Sequence, residues 1–130
     1  MIASGDRETA AGVKNVLVVD DSPDMRNLLT QFLRYHGHAV RSAEDGLDAL
    51  EVLQKSTPDV ILLDLNMPRL DGLDFLKALR GERRWDGVRV IVVTGYDAGI
   101  TDDEAKSFAV DAVLAKCTDR RKLVALVEQG

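Results

Sequence analysis

Short apolar runs that end in polar or charged residues alternate along the chain with stretches whose apolar residues recur every three or four positions. Residues 16–19 and 60–63 are the clearest runs, since each consists wholly of Val, Leu or Ile. Such a run is apolar on both faces, which predicts a strand covered by helices on both sides of its sheet. Weaker runs at 39–42, 88–93 and 110–115 predict three further strands.

The stretches between these runs predict helices. Ser22 followed by Pro23 is typical of a helix start, because the hydroxyl can cap the helix and proline fits its first turn. The apolar spacing continues to about His36, and Gly37 is expected to end this helix. Further helices are predicted over about 45–55, from 71 onwards, over 101–108 and over about 118–128.

Several side chains are assigned to the core or the surface from these patterns. Leu47, Leu50 and Leu53 are expected on the inner side of the second helix. His36 and His38 are both expected at the surface. A polar loop is predicted over 81–87, with Trp85 packing against the protein.

Five strands that alternate with five helices predict an α/β fold, because consecutive parallel strands need helical crossovers. We expect a doubly wound parallel sheet with helices on both faces. Residues 1–14 are interpreted as a flexible leader, residues 15–130 as one domain, and no output domain is expected within this chain.

Composition narrows the class of protein. The 130 residues carry a net charge of −5, and no motif for reading nucleic acid is present, so nucleic acid is not an expected partner. No apolar run reaches the roughly 18 residues of a membrane span. The single cysteine excludes an internal disulfide and fits a reducing compartment, so we expect a cytoplasmic protein.

Candidate chemistry lies where the predicted strands end. Asp20 and Asp21 follow the first strand, Asp64 the third, Thr94 the fourth and Lys116 the fifth. All these ends meet at one edge of a parallel sheet, where ligands bind in open α/β folds. Three neighbouring carboxylates repel one another unless a hard cation such as Mg²⁺ lies among them. Lys116 and Thr94 add a positive charge and a donor, which suits a phosphoryl group on Asp64.

These residues stand within longer motifs. The chain resembles the receiver domain of two-component response regulators over about residues 15–128. The resemblance rests on Val18-Val19-Asp20-Asp21-Ser22, Leu62-Leu63-Asp64-Leu65-Asn66-Met67-Pro68 with Asp71-Gly72, Val92-Val93-Thr94-Gly95, and Lys116.

The resemblance implies a flavodoxin-like five-stranded sheet of order 2-1-3-4-5. It also implies that Asp64 accepts a phosphoryl group from a histidine kinase or a phosphotransfer protein. The cation, Mg²⁺ or Mn²⁺, would be held by Asp20, Asp21, Asp64 and the backbone carbonyl of Asn66. Lys116 would pair with the phosphoryl group, and Thr94 would move to bond it.

Two positions depart from the family pattern. Cys117 replaces the proline that usually follows the lysine, so we expect a trans bond or a reshaped loop after Lys116. Val113 replaces the usual Tyr or Phe of the switch, and Tyr96 is the alternative switch candidate.

The leading interpretation is a phosphorylation-dependent signalling switch, not a metabolic enzyme, that acts as a monomer or weak dimer on an unknown downstream protein. A phosphorylation-independent docking module is the alternative, favoured by Val113 and Cys117. A phosphatase is disfavoured, because such enzymes typically need an aspartate where this chain has Asn66.

Overall fold

A computed structural model of the chain describes residues 13–65, 71–95, 100–116 and 119–129. Five parallel strands form one sheet of order β2-β1-β3-β4-β5. The strands are β1 (Asn15–Val19), β2 (Ala39–Ala43), β3 (Val60–Leu63), β4 (Arg89–Thr94) and β5 (Ala112–Ala115). The helices are α1 (Pro23–Tyr35), α2 (Gly46–Lys55), α3 (Gly72–Arg80), α4 (Asp102–Ser107) and α5 (Arg120–Glu128), with a 3-10 turn at Arg83–Trp85. The predicted fold class and strand order are confirmed.

Helices cover both faces of the sheet, as the apolar runs of β1 and β3 predict. Successive strand residues point to opposite faces, so Leu17 and Val19 join one core whereas Val16 and Val18 join the other. Helices α2 and α3 pack on the first face, together with the buried Trp85. Helices α1 and α5 pack on the second face. The loop residue Trp85 therefore belongs to the core.

Helix α1 begins and ends where the sequence predicts. The Ser22 hydroxyl accepts a hydrogen bond from the Met25 amide at 3.2 Å. Gly37 adopts a φ of 92°, in the left-handed region that glycine enters without steric strain. This turn brings the chain directly into β2.

The inner face of α2 differs from its predicted face. Gly46, Ala49 and Leu53 are buried, whereas Leu47 is 46% exposed, so its assignment to the core was wrong. Each residue advances about 100° around a helix, so Gly46, Ala49 and Leu53 share the buried face and Leu47 lies away from it. Leucine spacing alone could not show this orientation.

The surface assignment of His38 was also wrong. Its side chain is only 1% exposed, and Nε2 lies 2.9 Å from Oε2 of Glu128 at the end of α5. Nδ1 accepts a hydrogen bond from the Lys14 amide at 3.0 Å, so the ring proton is placed on Nε2. Residues at the two ends of the described chain thus meet on one imidazole ring.

Strand β5 is shorter than predicted. The backbone N–H of Val90, at the start of β4, donates to Oδ2 of Asp111 at 2.9 Å. The Asp111 side chain therefore accepts the hydrogen bond of a strand N–H. Regular pairing with β4 begins at Ala112. The interpreted leader lies largely in residues 1–12, outside the described residues.

Candidate functional site

The strand ends bring the predicted site residues together. Asp20 follows β1, Asp64 follows β3, Thr94 ends β4 and Lys116 follows β5, and all four lie at the same edge of the parallel sheet. The first three are buried, with 2%, 3% and 1% of their surfaces exposed, respectively. Polar groups are thus concentrated where the apolar strands reach the surface.

Three carboxylates form the centre of this edge. One carboxylate oxygen from each of Asp20, Asp21 and Asp64 lies within 4.8 Å of the others, and Asp21 alone of the three is exposed. Asp64 is fixed through its backbone, because its N–H donates to the Val19 carbonyl at 2.9 Å. Like charges at this separation favour binding of a cation.

Asp20 is held on several sides. Its backbone N–H donates to the Ala43 carbonyl at 3.2 Å, and its Oδ1 accepts from the Ser22 N–H at 2.9 Å. Burial raises the pKa of Asp20, outweighing the Ser22 hydrogen bond and nearby Lys116, which lower it. A further positive charge at this edge would favour the ionised form of Asp20.

Lys116 bridges two of the carboxylates. Its Nζ donates to Oδ2 of Asp64 at 3.1 Å and lies 3.3 Å from Oδ2 of Asp20. Partial burial alone would lower the pKa of Lys116, but the hydrogen bond to Asp64 and the neighbouring carboxylates raise it overall. Its backbone N–H donates to the Thr94 carbonyl at 2.8 Å, which connects the ends of β4 and β5.

The Thr94 hydroxyl is buried, and within the described residues it has no hydrogen-bond partner. A buried hydroxyl without a partner lowers stability, because it has lost its bonds to water. Such a group is free to bond a ligand atom at this edge.

The donor set suits a hard divalent cation. Mg²⁺ prefers carboxylate oxygens and water, and it commonly binds through one or two carboxylates. The proximity of Asp20, Asp21 and Asp64 and the raised pKa of Asp20 both fit such an ion. Lys116, by contrast, is placed to contact an anion bound on Asp64.

Three of the predicted residues, Asn66, Tyr96 and Cys117, lie outside the described residues. Their proposed roles, and the form of the bond after Lys116, therefore stay predictions. Val113 lies in β5 and is 40% exposed, so this strand presents a small aliphatic side chain at the sheet edge.

Sequence reasoning did not identify Arg26 as part of this site. Its guanidinium Nη1 donates to the Asp20 carbonyl at 2.7 Å. A cation close to a helix N-terminus opposes the helix dipole, and this was the available signal. Without the fold, that signal could not be assigned to the turn carrying Asp20 and Asp21.

Within the described residues, no helix is both long and apolar enough to cross a membrane.

Comparison with known proteins identifies the family to which this fold belongs. The sequence model of the response regulator receiver domain family matches residues 16–128 of the chain. The response regulator MprA of Mycobacterium tuberculosis is 38% identical over 111 residues, which cover 78% of this chain and 47% of MprA. The chain thus spans about half the length of the curated relatives it matches.

Solved structures agree with this match. The chemotaxis protein CheY4 of Vibrio cholerae superposes with a TM-score of 0.81 at 30% identity, covering 89% of this chain and 97% of CheY4. TrrA of Thermotoga maritima, solved in complex with Mg²⁺-BeF, gives a TM-score of 0.78 at 29% identity, with coverages of 89% and 97%. The chain belongs to the receiver domain family of two-component response regulators.

Proposed function

We propose that the chain is a phosphorylation-dependent signalling switch in which Asp64 is the phosphoacceptor. The observation that carries this proposal is the environment of the Asp64 carboxylate. It is buried at the end of β3, with Lys116 Nζ 3.1 Å from Oδ2 and two further carboxylates beside it. The phosphoryl donor would be a histidine kinase or a phosphotransfer protein.

In the proposed reaction, an Asp64 carboxylate oxygen attacks the phosphorus of a phosphohistidine. The new O–P bond forms as the donor's P–N bond breaks, and the released imidazole nitrogen takes a proton. Lys116 contacts the phosphoryl oxygens after leaving Oδ2 of Asp64, which offsets the negative charge brought to the site. Burial keeps the nucleophile oriented and limits access of water.

Asp20, Asp21, Asp64 and the Asn66 carbonyl would hold Mg²⁺ or Mn²⁺. The ion would neutralise charge on the transferred group and its acceptor. The Mg²⁺-BeF complex of TrrA supports this assignment.

The signal would then pass through Thr94. Its buried hydroxyl lacks a partner among the described residues, so a phosphoryl oxygen on Asp64 offers it a hydrogen bond. Movement of Thr94 toward that oxygen would bias the segment between β4 and α4 and change partner binding. Tyr96, just beyond Thr94, remains the candidate switch residue in this segment.

Intact-mass measurement tests the chemistry. The protein is incubated with Mg²⁺ and acetyl phosphate, and we expect one phosphoryl mass that is absent from Asp64→Asn and from a sample with excess EDTA. A mass gain that persists in Asp64→Asn would contradict the assignment, as would its absence from the wild-type protein.

The docking-module alternative is favoured by the exposed Val113, because β5 has no aromatic ring whose burial could report phosphorylation. Hydrogen exchange separates the two functions. A switch predicts changed protection around Thr94 and α4 when Asp64 is phosphorylated, whereas a docking module predicts the same protection in both states.

A further inference from the structure

We infer that Arg26 is a positioning residue for the cation site: it fixes the Asp20–Asp21 peptide and thereby places the Asp21 carboxylate. This inference rests on the proposed function, since it concerns the same cation. It assigns a role to a side chain that lies outside the set of acidic residues, Lys116 and Thr94.

Arg26 lies near the start of α1, where a positive charge opposes the helix dipole. Its backbone N–H makes an ordinary helical bond to the Ser22 carbonyl at 3.0 Å. Side chains of a helix tilt toward its N-terminus, so the guanidinium extends back over the preceding turn. There Nη1 of Arg26 donates to the Asp20 carbonyl at 2.7 Å.

This hydrogen bond determines more than the position of one oxygen. A peptide unit is planar, so the Asp20 carbonyl and the Asp21 N–H share one rigid plane. The N–H of Asp20 is already bonded to Ala43, and Oδ1 of Asp20 accepts from Ser22. The bond from Arg26 adds a direct constraint on the Asp20 carbonyl and therefore on the rotation of the Asp20–Asp21 plane.

Asp21 depends on this constraint more than its neighbours do. Asp20 and Asp64 are buried, and both contact Lys116, whereas Asp21 is exposed. Within the described part of the chain, the Asp21 carboxylate has no hydrogen-bond or ion-pair partner. No described residue holds the side chain, so the position of the Asp21 backbone determines the region that its carboxylate can reach.

The positioning role and the charge of Arg26 predict opposite effects on cation affinity. A guanidinium near the acidic residues repels a divalent cation, so charge alone predicts that a neutral residue strengthens binding. A positioning role predicts that the same change weakens binding, because the Asp21 carboxylate is then less well placed. The sign of the change therefore separates the two effects.

The experiment measures Mg²⁺ affinity by titration calorimetry and Mn²⁺ affinity by electron paramagnetic resonance on the whole chain. Arg26→Met is expected to weaken both affinities about tenfold, a typical loss for a residue that orients a metal ligand. Arg34→Met is the matched control, because Arg34 lies on the same helix and donates to the Val40 carbonyl at 3.0 Å, away from the acidic residues. The cation affinity of the Arg34→Met variant is expected to stay within about twofold of wild type.

Urea unfolding followed by Trp85 fluorescence shows whether each variant is folded. If Arg26→Met does not fold, Arg26→Gln is measured instead, since it also removes the charge and is too short to hold the same bond. Unchanged or tighter binding by the folded Arg26 variant, with normal binding by the wild-type protein, would overturn this inference alone. Failure of the wild-type protein to bind either ion would overturn the proposed cation site and this inference together.

Discussion

Lys116 Nζ lies 3.1 Å from Oδ2 of Asp64, although 52 residues separate the two in the sequence. The same nitrogen lies 3.3 Å from Oδ2 of Asp20, so one ammonium group partly neutralises two buried carboxylates. Its side chain is 33% exposed, which leaves it room to move when an anion binds at Asp64. The ion pair thus stabilises the two carboxylates in this arrangement of the site.

Lys116→Met is expected to lower the free energy of unfolding by about 1–2 kcal/mol in metal-free buffer, because two buried carboxylates lose their cation. The folded pKa of Lys116 is raised, so its contribution is complete below pH 10.5 and is lost as pH rises through the raised value. Urea unfolding at pH 7 and pH 11 measures both effects. Lys122→Met, at an exposed position of α5, is the control and should change stability little.

Asp20→Asn is expected to stabilise the metal-free protein at pH 7 by about 0.5–2 kcal/mol, as is common where a functional site stores unfavourable charge. Burial raises the folded pKa of Asp20 above its ordinary 3.8. Protonated Asp20 is therefore the form that the folded state favours. The stability that this group contributes is complete below pH 3.8, and it is lost as pH rises through the raised folded pKa. Unfolding curves from pH 3 to 8 in EDTA measure the difference, which should shrink toward low pH.

Asp24→Asn is the matched control for this change. Asp24 is exposed in the first turn of α1, where a negative charge favours the helix dipole. Its removal should lower stability by a few tenths of a kcal/mol. A loss of stability in Asp20→Asn at pH 7 would contradict the predicted electrostatic cost of the buried carboxylate.

Thr94→Val is expected to raise stability by about 1 kcal/mol while reducing any conformational response to phosphorylation, because it removes a buried hydroxyl without a described partner. Thr101→Val makes the same change where the hydroxyl accepts from the Glu104 N–H at 3.1 Å and caps α4. That variant should lose about 1 kcal/mol. Thermal unfolding compares the two, and a destabilised Thr94→Val would show that its hydroxyl is bonded in solution.

Arg80→Met is expected to destabilise the fold by about 2–3 kcal/mol, because it leaves several backbone carbonyls without their donor. The Arg80 guanidinium donates to Val88 at 2.9 Å and to Phe108 at 2.8 Å, and makes longer bonds to the carbonyls of Trp85, Asp86 and Ala109. It thereby joins the segment before β4 to the end of α4.

Arg41→Met is the control for Arg80, since it removes an arginine from an exposed position of β2. Urea unfolding of both variants, with phosphorylation by acetyl phosphate as a second measurement, separates stability from chemistry. We expect Arg80→Met to retain phosphorylation at Asp64 under conditions where it is folded. Stability equal to that of Arg41→Met would contradict a structural role for the five carbonyl bonds.

Local patterns in the sequence predict which elements form and which residues stand at their ends. Apolar runs define β1 and β3 because both of their faces are buried, and Ser22, Pro23 and Gly37 bound α1 through local backbone chemistry. Parallel strand ends share one edge of a sheet, so the grouping of Asp64, Thr94 and Lys116 also followed from local patterns.

Contacts between side chains of distant elements depend on the packing of the folded chain. Leu47 is exposed because the buried face of α2 is formed by Gly46, Ala49 and Leu53, and His38 is buried with Glu128 as its hydrogen-bond partner. The sharing of Lys116 between two carboxylates and the bond from Arg26 to the Asp20 carbonyl likewise depend on the arrangement of separate elements. The spacing of apolar residues describes one helix or strand by itself. These contacts depend on how the neighbouring elements are rotated and how far away they lie.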